Sequence, residues 1–368
     1  MNSKDDFIES ESISEITFYD FLNRLHINNL LILEEEEIES TLNKILLADE
    51  LEEDYKNILD ETLKYYGYRI REDHRLEGNI FKSHLEQYYG YSFFFLDLIY
   101  LLSIELGKVV LENIGEKSKL EEVVLLHHVR GCLIFDEIKH LVKGGYGTGA
   151  IARLRSLHES AVIVEFIMKH GEGVAKAYLD YIPVMQAKDT IFLEGLYGEN
   201  DDTSKALESY RKVVPLLEKE YGKDFVDLRS NNDYIWAKNY LTKQTGTRFG
   251  FNALRNDVNR NYGKEQYKLA SNNIHSAPKS VISSLNTVDG LPNAGASNIG
   301  ISEPSQWAIY ELLQLNVMIM NIFIRKEETD FFKRLQVIFT VRLIQSIINE
   351  TYESFSEAEK KLRAEIGD

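Results

Sequence analysis

SKLEEVVLLHHVRGCLIFDEIKHLVKGGYGTGAIARLRSLHESAVIVEFIMKH, residues 118–170, decides the fold. In its first half Leu120, Val124, His127, Gly131, Ile134, Ile138 and Leu141 recur at alternating steps of four and three, which lays them on one stripe of a helix. In its second half Ala150, Leu154, Leu157, Ala161, Val164 and Met168 repeat the rhythm, and Ala161 to Met168 is apolar nearly all round except at Glu165. Two helices that need partners on their stripes, joined by a glycine-containing turn, predict an all-α chain. Gly131 at mid-stripe admits a neighbouring helix at close range, and His127 reads as a buried, hydrogen-bonded core histidine.

Outward from this pair the three- and four-residue apolar spacing continues. The first proline is Pro183, and strand-like alternation bounded by tight-turn dipeptides is almost absent before it. The expected helices are 5–25, 33–65, 79–114, 118–142, 149–170, 172–196, 203–221, 251–276 and 305–353, the last two interrupted. Residues 222–250 read as irregular and 286–304 as a Gly/Pro/Ser/Asn loop. No fixed-period repeat points to a solenoid. The reading is a multi-helix bundle with long central buried helices: an acidic helical arm over 1–75 and a bundle core over 76–368.

The 368 residues are 44% hydrophobic, enough for a large core. The net charge of −17 is concentrated: residues 1–66 hold 18 acidic and 5 basic side chains, so everything after them is nearly neutral. That balance disfavours non-specific nucleic-acid binding by the arm and leaves a local basic groove open in the body. The arm reads as a solvated helix face or as a surface for a basic protein partner. A single cysteine, Cys132, and an acidic N-terminus imply a reducing, cytoplasmic setting. The apolar windows 91–111 and 307–324 carry Asp97, Glu105, Glu311 and Asn316, so they read as core helices without a membrane. The apolar 305–325 helix and the stripes on 118–170 would serve as an intramolecular core or as a homodimer seam.

Two polar arrangements stand out. Arg155 and Glu159 lie one turn apart, away from the main stripe but continuous with Val162 and Phe166. A buried arginine needs a carboxylate to offset its desolvation, and Glu159 is the nearest one. In YKLASNNIH, Tyr267, Ser271 and His275 are spaced by four and descend one helix face. Pro278 then closes that helix, leaving His275 in its last turn, where the helix dipole favours imidazolium. The glycine cluster KGGYGTGA follows a helix and lacks the Gly-Lys-Ser/Thr ending of a phosphate-binding loop, so it reads as a turn between helices. Paired Glu-x-x-His ligands on two helices are missing, and no metal or other cofactor is expected.

An Arg-x3-Glu helix preceded by a glycine-containing turn, followed later by a Tyr-x3-Ser-x3-His helix, resembles a bacterial helical family known only as a domain of unknown function. The likeness covers about residues 120–280. It implies a fold and a polar pocket formed by Arg155, Glu159, Tyr267, Ser271 and His275, and no established activity. A more distant likeness is to HEPN-type bundles, whose ribonucleases carry an Arg-x4–6-His motif. The chain's Arg153-x4-His158 and Arg69-x4-His74 are matches that chance supplies in a sequence of this composition. Two functions follow. The first is a binding module in which the polar cluster is a clamp. The alternative is a metal-independent ribonuclease of a defence or toxin system, and only under it is RNA a partner. There His275 would be the base, Arg155 would stabilise the phosphoryl charge, Glu159 would orient Arg155, and Tyr267 and Ser271 would position substrate.

Overall fold

The structure, a computed structural model, describes residues 52–198, 200–241, 249–260, 264, 267–268, 270–271, 286–288, 291–293 and 295–366. The chain divides into two compact units, Met1–His84 and Leu85–Asp368. Within the acidic arm expected over 1–75, residues 1–51 lie outside the described residues. The packing set out below belongs to the second unit.

The fold is all-α, with nine helices among the described residues: α1 (Glu52–Asn113), α2 (Lys119–Lys143), α3 (Gly147–His170), α4 (Glu172–Asp180), α5 (Ile182–Tyr197), α6 (Asp201–Tyr221), α7 (Phe251–Asp257), α8 (Ser302–Ile324) and α9 (Phe331–Ile366). The break expected between 65 and 79 is absent, and α1 runs through it. That stretch has no proline, and its isolated glycines cost about 1 kcal/mol each without ending a helix. The core begins at Leu85, and Tyr89, Phe93, Leu96, Ile99, Leu106 and Val110 continue the buried stripe.

At the centre α2, α3 and α8 pack against one another. Val124, Ile134 and Ile138 of α2, Ala150, Leu157, Ala161 and Val164 of α3, and Ile309, Leu312, Leu315 and Ile319 of α8 are all buried. Burial of each large aliphatic side chain contributes about 1.5–3 kcal/mol. A β-carbon on Gly131 would overlap Leu315 Cδ1, so the glycine sets how closely α2 and α8 approach. α8 is long and apolar enough to cross a membrane, but it lies inside this packing, with Glu311 and Asn316 buried among its apolar residues.

Local sequence explains the helix ends. Ser118 and Glu121 form a capping box on α2, and the Glu172 carboxylate accepts from Lys119 N and Leu120 N at 2.7 and 3.0 Å, so α4 caps α2 as well. The single helix expected over 172–196 is two, because Pro183 sits in the first turn of α5 and cannot continue a preceding helix. Between them Tyr181 is buried and donates to Asn232 O at 3.1 Å. The irregular 222–250 stretch holds two 3-10 turns, Lys223–Val226 and Ile235–Tyr240, which bury Phe225, Ile235 and Trp236 against Phe166 and Tyr181.

α7 ends at Asp257, Asn259 just beyond it has a left-handed φ of 58°, and the chain is helical again at Tyr267, Ala270 and Ser271. Where a plain loop was expected, Asn286–Val288 (β1) pairs antiparallel with Leu291–Asn293 (β2), Val288 opposite Leu291. The loop after β2 docks on the turn between α2 and α3. Ser297 N donates to Gly145 O at 2.9 Å, and a β-carbon on Gly147 would overlap the Gly300 carbonyl oxygen. KGGYGTGA is therefore a helix–helix turn shaped for close backbone approach, with Gly145 at φ 79°.

Candidate functional site

α3 supplies the site. Arg155 Nε donates to Glu159 Oε1 at 2.9 Å, and both side chains are about a quarter exposed, 25% and 26%. The same oxygen accepts the Tyr267 hydroxyl at 2.9 Å, and the Arg155 guanidinium carbon stands 4.9 Å from the centre of the Tyr267 ring. Burial, the Glu159 charge and the hydrogen bond to it push the Tyr267 phenol up to about 12. Burial works against the charge on Arg155, yet its hydrogen bond to Glu159 carries the net shift upward. Among these groups the phenol stays protonated and the guanidinium stays charged at neutral pH, which describes a clamp.

The other expected members behave differently. Ser271 donates to Tyr267 O at 2.7 Å, the carbonyl four residues back in its own helix, and so contributes its hydroxyl to backbone. His275 lies outside the described residues. The structure thus brings together Arg155, Glu159 and Tyr267. It adds residues that the sequence reading did not select.

The first is His158, one turn from Leu154 and 5% exposed. Its Nδ1 meets Glu311 Oε1 at 2.8 Å, while Glu311 Oε2 accepts from Arg260 Nη2 at 2.7 Å. With both oxygens engaged by donors, the network assigns the hydrogen to Nδ1. Nε2 is buried and has no hydrogen-bond partner among the described residues. Arg260 continues to Glu165 at 3.4 Å, whose carboxyl burial raises against the opposing pull of that arginine. A line His158–Glu311–Arg260, buried as far as the half-exposed Glu165 at its end, therefore ties α3 to α8 through the segment after α7.

Tyr267 joins the two groups. Its ring stacks on Phe251 at 5.0 Å, lies 5.9 Å from His158, and has the Arg255 guanidinium carbon 5.6 Å from its centre. Arg255 is 3% exposed, and its Nε and Nη1 make no hydrogen bond among the described residues. Leu154, Arg155, His158, Tyr267, Trp307 and Glu311 line a cavity of about 10 Å³, room for roughly one water. Nearby, Tyr234 packs 6.3 Å from Phe251 and lines an open groove of about 850 Å³ with Asp224, Asp227 and Asp233. Burial, with Glu159 and Tyr267 adding to it, pushes the Tyr234 phenol up.

Two other histidines are core residues. His127 Nε2 pairs with the Tyr178 hydroxyl at 3.0 Å, and His128 Nε2 donates to Asn316 Oδ1 at 2.9 Å. Asn316 Nδ2 in turn donates to Ser103 Oγ at 2.8 Å. Burial lowers both imidazoles to about 4, with Arg130 assisting at His127 and the Asn316 hydrogen bond opposing at His128. Cys132 is buried and its thiol is pushed up to about 12. No group of three or more His, Cys, Asp or Glu side chains is placed to hold a metal ion among the described residues.

Arg153 and His158 are drawn to different helices, Arg153 to Glu137 on α2 and His158 to Glu311 on α8. Residues 121–291 are similar to DUF5677, a family of unknown function, and the likeness covers Arg155, His158, Glu159, Arg255, Arg260 and Tyr267 but not Glu311. No curated protein and no solved structure matches the chain. The distant HEPN likeness is not shown by these comparisons.

Proposed function

We propose that the protein is a helical binding module and that the cluster around Tyr267 is its ligand-holding centre. One observation carries this reading. The described residues marked from the sequence engage one another or backbone, Arg155 and Tyr267 on Glu159 and Ser271 on its own helix, while the adjoining buried donors of Arg255 are left over. A clamp that holds unspent polar groups in place suits recognition. It leaves no activated nucleophile among those residues.

A second reading keeps one specific observation. His158, oriented by Glu311, with Nε2 unpaired among the described residues and its side chain in the lining of a cavity that Arg155 shares, has the layout of a carboxylate-oriented general base. Under the ribonuclease alternative His158 joins His275 as a candidate base. Incubating purified wild type, His158→Asn and His275→Ala with a mixed RNA pool in EDTA separates the readings, with folding checked by circular dichroism. The binding module predicts intact RNA in all three. Cleavage by wild type that either folded variant loses would overturn it.

A further inference from the structure

Arg255 is the least explained charge in the described structure. It is buried to 3% exposure, yet Nε and Nη1 have no acceptor among the described residues, and its guanidinium carbon stands over the Tyr267 ring. The described carboxylates of the neighbourhood are already engaged. Asp257 Oδ1 takes Lys169 at 2.7 Å and His170 at 2.8 Å, Glu159 takes Arg155 and Tyr267, and Glu311 takes His158 and Arg260. A guanidinium carries donors only and does not shed its charge to escape burial. Contact with a ring face offsets a part of its lost hydration and gives its N–H groups no acceptor.

We propose that Arg255, with Arg155 against the same ring, forms a binding site for a small oxyanion, the phosphate or carboxylate group of a ligand. The proposal rests on the reading of the cluster as a binding centre and names what it binds. Two guanidinium groups stand 4.9 and 5.6 Å from the centre of Tyr267 with one carboxylate, Glu159, committed to the first. Among the described residues Arg255 has no carboxylate of its own, so its guanidinium is one negative charge short of a pair. An oxyanion supplies that charge and the acceptors that Nε and Nη1 want in a single group.

The test uses the full chain. Sodium phosphate and sodium acetate are titrated separately at constant ionic strength, with sodium chloride as the control, and followed by thermal unfolding and calorimetry. Wild type is expected to show a saturable rise in Tm of a few degrees with at least one of the two anions, and the responding anion identifies the class. Arg255→Gln loses the rise, and Arg255→Lys, which keeps charge without the planar donors, retains a weaker one. Arg255→Met, in buffer free of both anions, is expected to melt at or above wild type, because the variant no longer buries an unpaired charge. The proposal is overturned by a wild-type Tm that follows the chloride control, by an undiminished rise in Arg255→Gln, or by an Arg255→Met protein that melts well below wild type. RNA cleavage tests the binding reading and anion titration tests the ligand class, so the two can fail separately.

Discussion

Arg155 and Glu311 sit in the same cluster but should not matter equally to stability. The Arg155–Glu159 pair is a quarter exposed, so water competes for it, and Arg155→Ala is expected to cost about 1 kcal/mol. Glu311 is 1% exposed and is shared by His158 and Arg260, so Glu311→Gln leaves the buried Arg260 guanidinium only its longer contact to Glu165, at a cost of about 3 kcal/mol. Urea unfolding of the two variants checks the order, and a Glu311→Gln midpoint equal to that of wild type would show that Arg260 has other support. The sequence exposed one of these pairs and hid the other for a plain reason. Arg155 and Glu159 are one helical turn apart, whereas His158 and Glu311 are 153 residues apart and meet through packing alone. Ser271 shows the opposite error: the four-residue step that aligned it with Tyr267 also puts its hydroxyl within reach of the carbonyl one turn back.

Between elements, glycine decides how closely the helices and the returning loop approach. An added β-carbon at Gly131 would meet the flexible end of Leu315, which can swing aside, while one at Gly147 would meet the backbone of Gly300, which cannot move alone. Gly131→Ala is expected to cost about 1–3 kcal/mol and Gly147→Ala more, measured as the loss in unfolding free energy; the reverse order would mean that the 295–301 loop yields more easily than α8. Most helices were legible because their stripes are long and regular. The break at Pro183 was missed because apolar spacing continues on both sides of it, and α1 was split on paper because Gly67 and Gly78 flank a polar stretch that a helix tolerates. The β1–β2 pair was unreadable as regular structure because three residues on each side carry too little alternation.

For the whole molecule, acid should be felt before the carboxylates titrate. His127 and His128 are held neutral in the core near 4, against an ordinary 6.5, so the unfolded chain takes up more protons between those values. Stability is flat with respect to these groups above pH 6.5 and falls as pH drops from 6.5 toward 4, by about 3 kcal/mol per histidine at the end of the window. Denaturant melts at pH 7.5, 5.5 and 4.5 check this, with His127→Gln expected to lose about half of the decline; a wild-type midpoint unchanged down to pH 4.5 would refute it. The return of α8 has a consequence in time. α2, α3 and α4 are contiguous, and Glu172 of α4 caps α2, whereas α8 reaches them only after more than a hundred intervening residues. Local contacts form early and distant ones late. Substitutions within the α2–α3–α4 hairpins should therefore slow refolding, while those at Leu315 or Asn316 should chiefly hasten unfolding. The His158–Glu311 pair, which needs both α3 and α8, would be the last part of the molecule to assemble and the first to be lost.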